Sequence, residues 1–236
     1  MKIALLGYGK MGQMVHQLAK EAHHEVLFCM DQSPTAEETT AFKANGVEVV
    51  IDFTQPDVAA HHVAWAIAHQ LPLVVGTTGW YQEAPRLQQF CAEKNGKIMM
   101  GTNFSPGVNL LFAFNRHLAK WFSDFPAYTP SIHEIHHLKK LDQPSGTALT
   151  LAKGLSEVAF PHASVPPFPF PVTSERIGEV PGTHTITWKG PHDALHLTHE
   201  AFSRAGFASG ALAAAQWLLH QKAGWYEVEE MYAFQS

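Results

Sequence analysis

Between Glu134 and Asp142 the stretch "EIHHLKKLD" sets two histidines, two lysines and two carboxylates within nine residues, then runs into Pro144-Ser145-Gly146-Thr147. Histidine exchanges a proton near neutral pH and lysine supplies positive charge, so the set suits acid–base chemistry on an anion. Ser145 fits the N-cap of a helix over 145–159, whose free N–H groups at Gly146 and Thr147 would face a carboxylate. A strand over 128–138 sends His136 and His137 to opposite faces, so both reach one ligand only if the chain turns there. On spacing alone, a solvated charge run before a helix reads as well as a substrate site.

A second group with chemistry stands at the start of the chain. Gly7, Gly9 and Gly12 make G-x-G-x-x-G between the strand-like "KIALLG" and a helix pattern over 10–22, and Asp31 closes the next strand, "EVLFCMD". Strand, glycine turn, helix, strand and acid, in that order, form the dinucleotide fingerprint. The glycines let a pyrophosphate approach the helix N-terminus, and Asp31 would accept hydrogen bonds from ribose hydroxyls. Asp31 is followed by Gln32 and Ser33 rather than by a basic residue, and a carboxylate repels a 2′-phosphate. NADH is therefore favoured, while Lys10 in the glycine loop leaves a phosphate contact open to NADPH. The sixteen histidines include pairs at 23/24, 61/62 and 136/137. His61 and His62 have no ligand at metal spacing, so they read as surface or packing residues and no metal site is expected.

The elements that must position these groups alternate. Strand runs at 47–54, 71–79 and 97–103 are separated by helices over 56–70 and 82–95. Their ends, Asp52-Phe53-Thr54, Gly76-Thr77-Thr78 and Gly101-Thr102-Asn103, would share the carboxyl edge of one sheet, where open α/β sheets bind ligands. From Phe104 the rhythm breaks into a helix over 105–122, the strand and helix already named, and a long loop over 161–182 holding six of fifteen prolines. Two strands follow around "GPHD", then an alanine-rich helix over 207–219 that could return to the first domain. The fold class is α/β, a Rossmann-type parallel sheet with an inserted α+β domain. Residues 1–103, completed by 207–236, form the dinucleotide-binding domain, and 104–206 the substrate domain.

Composition bounds the partners. Sixteen basic against 21 acidic residues give a net charge of −5, which argues against nucleic acid. Two unpaired-looking cysteines suggest a reducing compartment. The opening apolar run is too short for a signal peptide, no stretch could span a bilayer, and a cytoplasmic location is expected.

The motifs "GYGKMG", "DFT", "GTTG", "NFSPGVN", "EIHHLKKLDQPSGTA", "GTHTI" and "LTHEAFSRAGFASGAL" together resemble the 4-hydroxy-tetrahydrodipicolinate (dihydrodipicolinate) reductase family of diaminopimelate and lysine biosynthesis, over nearly the whole chain. The central run is similar to E-x-H-H-x-x-K-x-D-x-P-S-G-T-A at every fixed position. The resemblance implies that a nicotinamide hydride reduces a conjugated cyclic imine after water is lost from the 4-hydroxy substrate. It places the catalytic histidine on His136 and the proton-donating lysine on Lys140. Carboxylates of a small dicarboxylate substrate would be held by His137, Lys140, Gly146 and Thr147. Cofactor contacts would fall on Gly7, Tyr8, Gly9, Lys10, Met11, Gly12, Asp31, Gly76, Thr77, Thr78, Met100, Gly101, Thr102 and Asn103. It also implies a homotetramer formed through the inserted domain, with strands near 184–202 as the interface. Glu134 is inferred to orient His136.

Two positions depart from the family pattern. Gln32 and Gln55 stand where many members carry basic residues, which weakens an NADPH preference. The chain is also shorter than many members, which trimmed loops in the first domain would explain. An aspartate dehydrogenase-like enzyme would share the two-domain plan without needing the H-H-x-x-K…P-S-G-T run. A nucleotide-sensing regulator with a decayed site would have lost Lys140 or the Gly146-Thr147 pair, and all three are present.

Overall fold

In the computed structural model, which describes residues 1–163 and 166–232, six short strands form one parallel sheet. They are β1 (Lys2–Leu6), β2 (Glu25–Met30), β3 (Val49–Asp52), β4 (Leu73–Val75), β5 (Lys97–Met100) and β10 (Gly224–Glu227), in the order β10-β5-β4-β3-β1-β2. The central strands read as near-continuous apolar runs because helices cover both faces. Ala4 and Leu6 of β1 join one core with Val63, Ala66 and Ile67 of α3 (Pro56–His69) and Leu87 of α4 (Ala84–Lys94). Ile3 and Leu5 point the other way, into a core with Val15 of α1 (Lys10–Glu21) and Ala208, Ala211 and Ala215 of α7 (Ala205–Leu219). Alternation along a strand thus builds a three-layer unit from Met1–Pro106 and the described residues from Arg204 on.

Two elements here escaped the periodicity. Helix α2 (Ala36–Ala44) buries only Thr39 and Phe42, so it shows no apolar stripe; its start is set by a capping box between Thr35 and Glu38. Strand β10 pairs with β5 at the sheet's edge and leads into the short α8 (Val228–Met231).

The second unit, Gly107–Ser203, is built on strands β6 (Thr129–His136), β7 (Val172–Arg176), β8 (Gly182–Lys189) and β9 (Ala194–Ala201), in the order β7-β6-β8-β9. Ile132, Ile186 and Trp188 pack against Leu111 and Phe112 of α5 (Pro106–Phe122) and Leu151 and Leu155 of α6 (Gly146–Ala159). Along β6, Pro130, Ile132, Glu134 and His136 take the buried positions. Strand β7 corrects the expectation of an unbroken loop over 161–182. Prolines fill the stretch before it, but Val172–Arg176 carries none and pairs parallel with β6. A parallel neighbour needs a crossover, and α6 lies within the connection. Strands β8 and β9 pair antiparallel around Gly190–Asp193, where Gly190 N–H donates to the Asp193 carbonyl at 2.9 Å.

Candidate active site

β6 ends at His136 and the chain turns at once, with Lys140 N–H donating to the His137 carbonyl at 3.1 Å. The turn frees His137 from strand alternation, so the two histidines need not diverge. Glu134 and His136 share the buried face of β6, and Glu134 stands opposite His184 of β8 in register. Glu134 Oε2 lies 3.3 Å from His136 Nδ1 and 3.5 Å from His184 Nε2. Its Oε1 accepts from Ser145 N–H at 2.9 Å and from Arg176 Nη2 at 3.3 Å. A carboxylate this buried is tolerated only when its oxygens are met by donors. Burial pushes the Glu134 carboxyl up, but the side chains of His136, His184, Ser145 and Ser174 around it outweigh that and hold the group well below the usual carboxylate range. Burial drives the His184 imidazole below its ordinary value despite the pull of Glu134.

Arg176, brought in by β7, closes this corner. Its Nη2 also donates to the Asp142 carbonyl at 2.5 Å and its Nε to the Lys140 carbonyl at 3.4 Å. One guanidinium thereby ties Glu134 to the loop that carries Lys140. The loop runs into α6, where Ser145 is the N-cap and its hydroxyl accepts from Ala148 N–H at 3.2 Å. Open space surrounds the position of a Cβ at Gly146. Lys140 Nζ lies 2.7 Å from Asp142 Oδ1. Burial raises the Asp142 carboxyl, but Lys140 together with the Asp142 and Gly146 backbone N–H groups brings it below its ordinary value. The corner formed by Lys140 and the start of α6 therefore already holds a carboxylate, the chain's own. Lys139 is exposed. Ligand atoms of Glu134, His136 and His184 lie within 4.8 Å of one another, a spacing a metal ion could use. Arg176 already supplies a cation to the same carboxylate.

In the first unit the glycine loop behaves as its spacing requires. Gly7 has φ +85°, and a Cβ there would come within 2.4 Å of the Phe53 carbonyl oxygen; one at Gly12 would come within 2.0 Å of the Gly7 oxygen. Gly9 is the N-cap of α1, with open space beside it and no capping side chain. The helix N-terminus is thus presented to an anion, which fits a pyrophosphate. Gly7–Gly12, Asp31, Gly76–Thr78 and the Met100–Asn103 segment all fall at the carboxyl ends of parallel strands, and β2 and β3 flank β1 on opposite sides. Asp31 Oδ1 accepts from Tyr8 N–H at 2.6 Å. A cleft of about 340 Å³ beside it is lined by Cys29, Met30, Asp31, Gln32 and Glu38, two carboxylates with no cation in the lining. Lys10 is exposed, and Asn103 Oδ1 accepts from Ser105 N–H at 2.9 Å. The Thr77 hydroxyl donates to Asp52 Oδ1 at 2.8 Å, which leaves its backbone as the part free of that bond.

Residues 107–232 match the family model described as "Dihydrodipicolinate reductase, C-terminus", and residues 1–104 match its N-terminal counterpart. The chain belongs to the dihydrodipicolinate reductase family. A relative from Christiangramia forsetii, named 4-hydroxy-tetrahydrodipicolinate reductase, is 37% identical over 223 residues, 92% of each chain. One of the same name from Thermosipho africanus is 29% identical and covers 98% of this chain and 97% of its own. Among solved structures, a dipicolinate-bound dihydrodipicolinate reductase from Paenisporosarcina sp. TG-14 shares the fold at a TM-score of 0.79 and 22% identity, covering 98% of this chain and 99% of its own. Dihydrodipicolinate reductases are NAD(P)H-dependent oxidoreductases with a Rossmann-type nucleotide-binding half, and the parallel sheet is that half.

For a dihydrodipicolinate reductase, the residues missed by sequence reasoning are as telling as those found. Arg176 sat in a stretch read as loop, and His184 in a strand with no distinguishing spacing. The exchange "GTHTI" held the only hint of His184, because the strand places it opposite Glu134. His62 was read as a surface or packing residue. It is a packing residue, buried in α3, and its Nδ1 lies 2.6 Å from Asp52 Oδ2. Its signal was the acid at the end of β3, directly beneath the helix that follows.

Proposed function

We propose that this chain reduces 4-hydroxy-tetrahydrodipicolinate to tetrahydrodipicolinate, in diaminopimelate and lysine biosynthesis, with NADH used in preference to NADPH. The observation that carries the substrate class is the Lys140–Gly146 corner, which binds Asp142 as it would bind a substrate carboxylate. His137, Lys140 and the Gly146 and Thr147 backbone hold the small dicarboxylate. Held by the glycine loop and Asp31, a nicotinamide cofactor would supply a hydride, two electrons with one proton, to the ring carbon–carbon double bond of the conjugated imine left after loss of water. His136 and Lys140 supply the second proton, completing addition of two hydrogens. Glu134, held anionic, faces Nδ1 of His136 and fixes its ring.

The cofactor preference rests on the cleft beside Asp31. Gln32 is neutral, and Asp31 and Glu38 set negative charge where a 2′-phosphate would lie. The same reading carries a cytoplasmic homotetramer assembled through β8 and β9; β9 is an edge strand with exposed or half-exposed side chains throughout. The test is an assay coupled to the synthase that makes the substrate from pyruvate and aspartate semialdehyde. Substrate-dependent oxidation of NADH at a higher kcat/KM than NADPH is expected, from a particle whose scattering mass equals four chains. Absence of oxidation by folded, NADH-binding protein would overturn the reading.

A further inference from the structure

The strongest buried polar network of the first unit lies outside the glycine loop and the Asp31 cleft. Asp52, at the end of β3, is fully buried. Its Oδ1 accepts from Thr54 N–H at 2.8 Å, from the Thr54 hydroxyl at 2.7 Å and from the Thr77 hydroxyl at 2.8 Å. Its Oδ2 lies 2.6 Å from His62 Nδ1, and His62 Nε2 lies 2.8 Å from the Ser33 hydroxyl. A carboxylate only accepts, so Nδ1 carries the hydrogen. In the neutral ring Nε2 is then the acceptor and the Ser33 hydroxyl donates. The order Asp–His–Ser matches that of a hydrolytic triad. The chain around it supplies a different use, because Ser33 sits two residues beyond Asp31 in the segment joining β2 to α2.

That segment is anchored at alternate residues. Asp31 accepts from Tyr8 N–H at 2.6 Å, Ser33 bonds to His62, and Thr35 N–H donates to Glu38 Oε2 at 2.8 Å. The two residues between the anchors are Gln32 and Pro34. The middle anchor reaches into the core through a histidine whose other nitrogen is fixed by Asp52, while Thr35, the last, is tied to the core through the Thr39 hydroxyl and Trp65. We propose that Asp52 and His62 are positioning residues for the adenosine-ribose pocket: through Ser33 they fix the loop that carries Asp31 and Gln32, and so set discrimination between NADH and NADPH. The discrimination part rests on the NADH reading given above; the positioning part does not. With the loop pinned, it cannot swing outward to take a 2′-phosphate away from Asp31 and Glu38. With the latch cut, Asp31 is held less firmly for the ribose hydroxyls, and the pocket relaxes toward either cofactor.

Ser33→Ala removes one partly buried hydrogen bond and leaves the buried His62 Nε2 without that partner, and Ser33→Thr keeps the hydroxyl. NADH affinity, read by nucleotide fluorescence, should fall about five- to tenfold in Ser33→Ala, the effect of one such bond. It should return to near the wild-type value in Ser33→Thr. In steady state KM for NADH should rise while kcat and KM for the dicarboxylate stay within about twofold, and the NADH-to-NADPH ratio of kcat/KM should narrow. His62→Leu should reproduce the same split, provided it folds; Ser33→Ala carries the test if it does not. Unchanged NADH affinity in Ser33→Ala overturns the latch. Equal use of both cofactors by the wild type overturns the NADH preference alone, since the affinity series still reads the latch.

Discussion

Lys140 keeps 23% of its side chain exposed and holds Asp142 at 2.7 Å, so its ammonium is placed by a partner rather than left to wander on four methylenes. A group that delivers a proton must be within hydrogen-bond reach when the substrate arrives, and preorganisation lowers the entropy lost in reaching that geometry. Lys140→Ala is expected to cut kcat by about 10²–10⁴-fold, the range for a general acid. Affinity for NADH, proposed to bind at the glycine loop and Asp31, should not change. Asp142 holds the ammonium only until a ligand carboxylate takes its place, so Asp142→Ala loses the pre-positioning alone and a smaller loss, at most about tenfold in kcat, is expected. Stopped-flow single turnovers separate the two. A Lys140→Ala enzyme with normal single-turnover chemistry and weakened nucleotide binding would remove Lys140 from its assigned role.

At the scale of elements, β6 shows how a strand's alternation can deliver chemistry. Ile132 faces the core helices, and the next two positions on that face are Glu134 and His136, so the same period that buries an isoleucine buries a carboxylate. The cost is met by β7 and β8, which bring Arg176 and His184 to the carboxylate from either side. The consequence is a pH dependence with a definite sign. Glu134 and His184 both have folded-state values below their ordinary ones, so the fold favours the deprotonated form of each more than the open chain does. Their contribution is complete above the unfolded values, about 6.5 for histidine and about 4.3 for glutamate, and is lost as pH falls. Thermal unfolding midpoints should hold steady from pH 8 to about 6.5 and then decline. Burial lowers His24 and His199 in the same direction, so the upper part of that decline should be shallower, not abolished, in His184→Gln; an identical decline in that variant would assign it to other groups. The same elements explain what could be read in advance. The βαβ rhythm and the 134–148 run were legible because apolar runs and a dense local motif are sequence-local properties. Arg176 and His184 were not, because their meaning comes from register across β6. Helix α2 and β10 were not, because one lacks an apolar stripe and the other is a short edge strand.

For the molecule as a whole, two anionic ligands must be bound by a chain with a net charge of −5, so neither can rely on a general positive field. On the proposed reading each site uses local dipoles and few charges: the N-terminus of α1 at Gly9 in one unit, and that of α6 beside Lys140 in the other. The two sites are therefore built on separate cores and should respond to their ligands separately. A ligand at about a hundred times its Kd adds about 2.7 kcal/mol to the state that binds it, close to a hundredfold in protection of amides that open with the site. Hydrogen exchange with NADH should slow the Tyr8–Gly12 loop, the end of β2 and the segment leading into α2. Pyridine-2,6-dicarboxylate alone should instead slow residues 137–147, where Lys140 and the Gly146 N–H exchange Asp142 for a ligand carboxylate. Protection by the dicarboxylate confined to the first unit would contradict this division, because the Lys140 corner would then not be where the carboxylate goes.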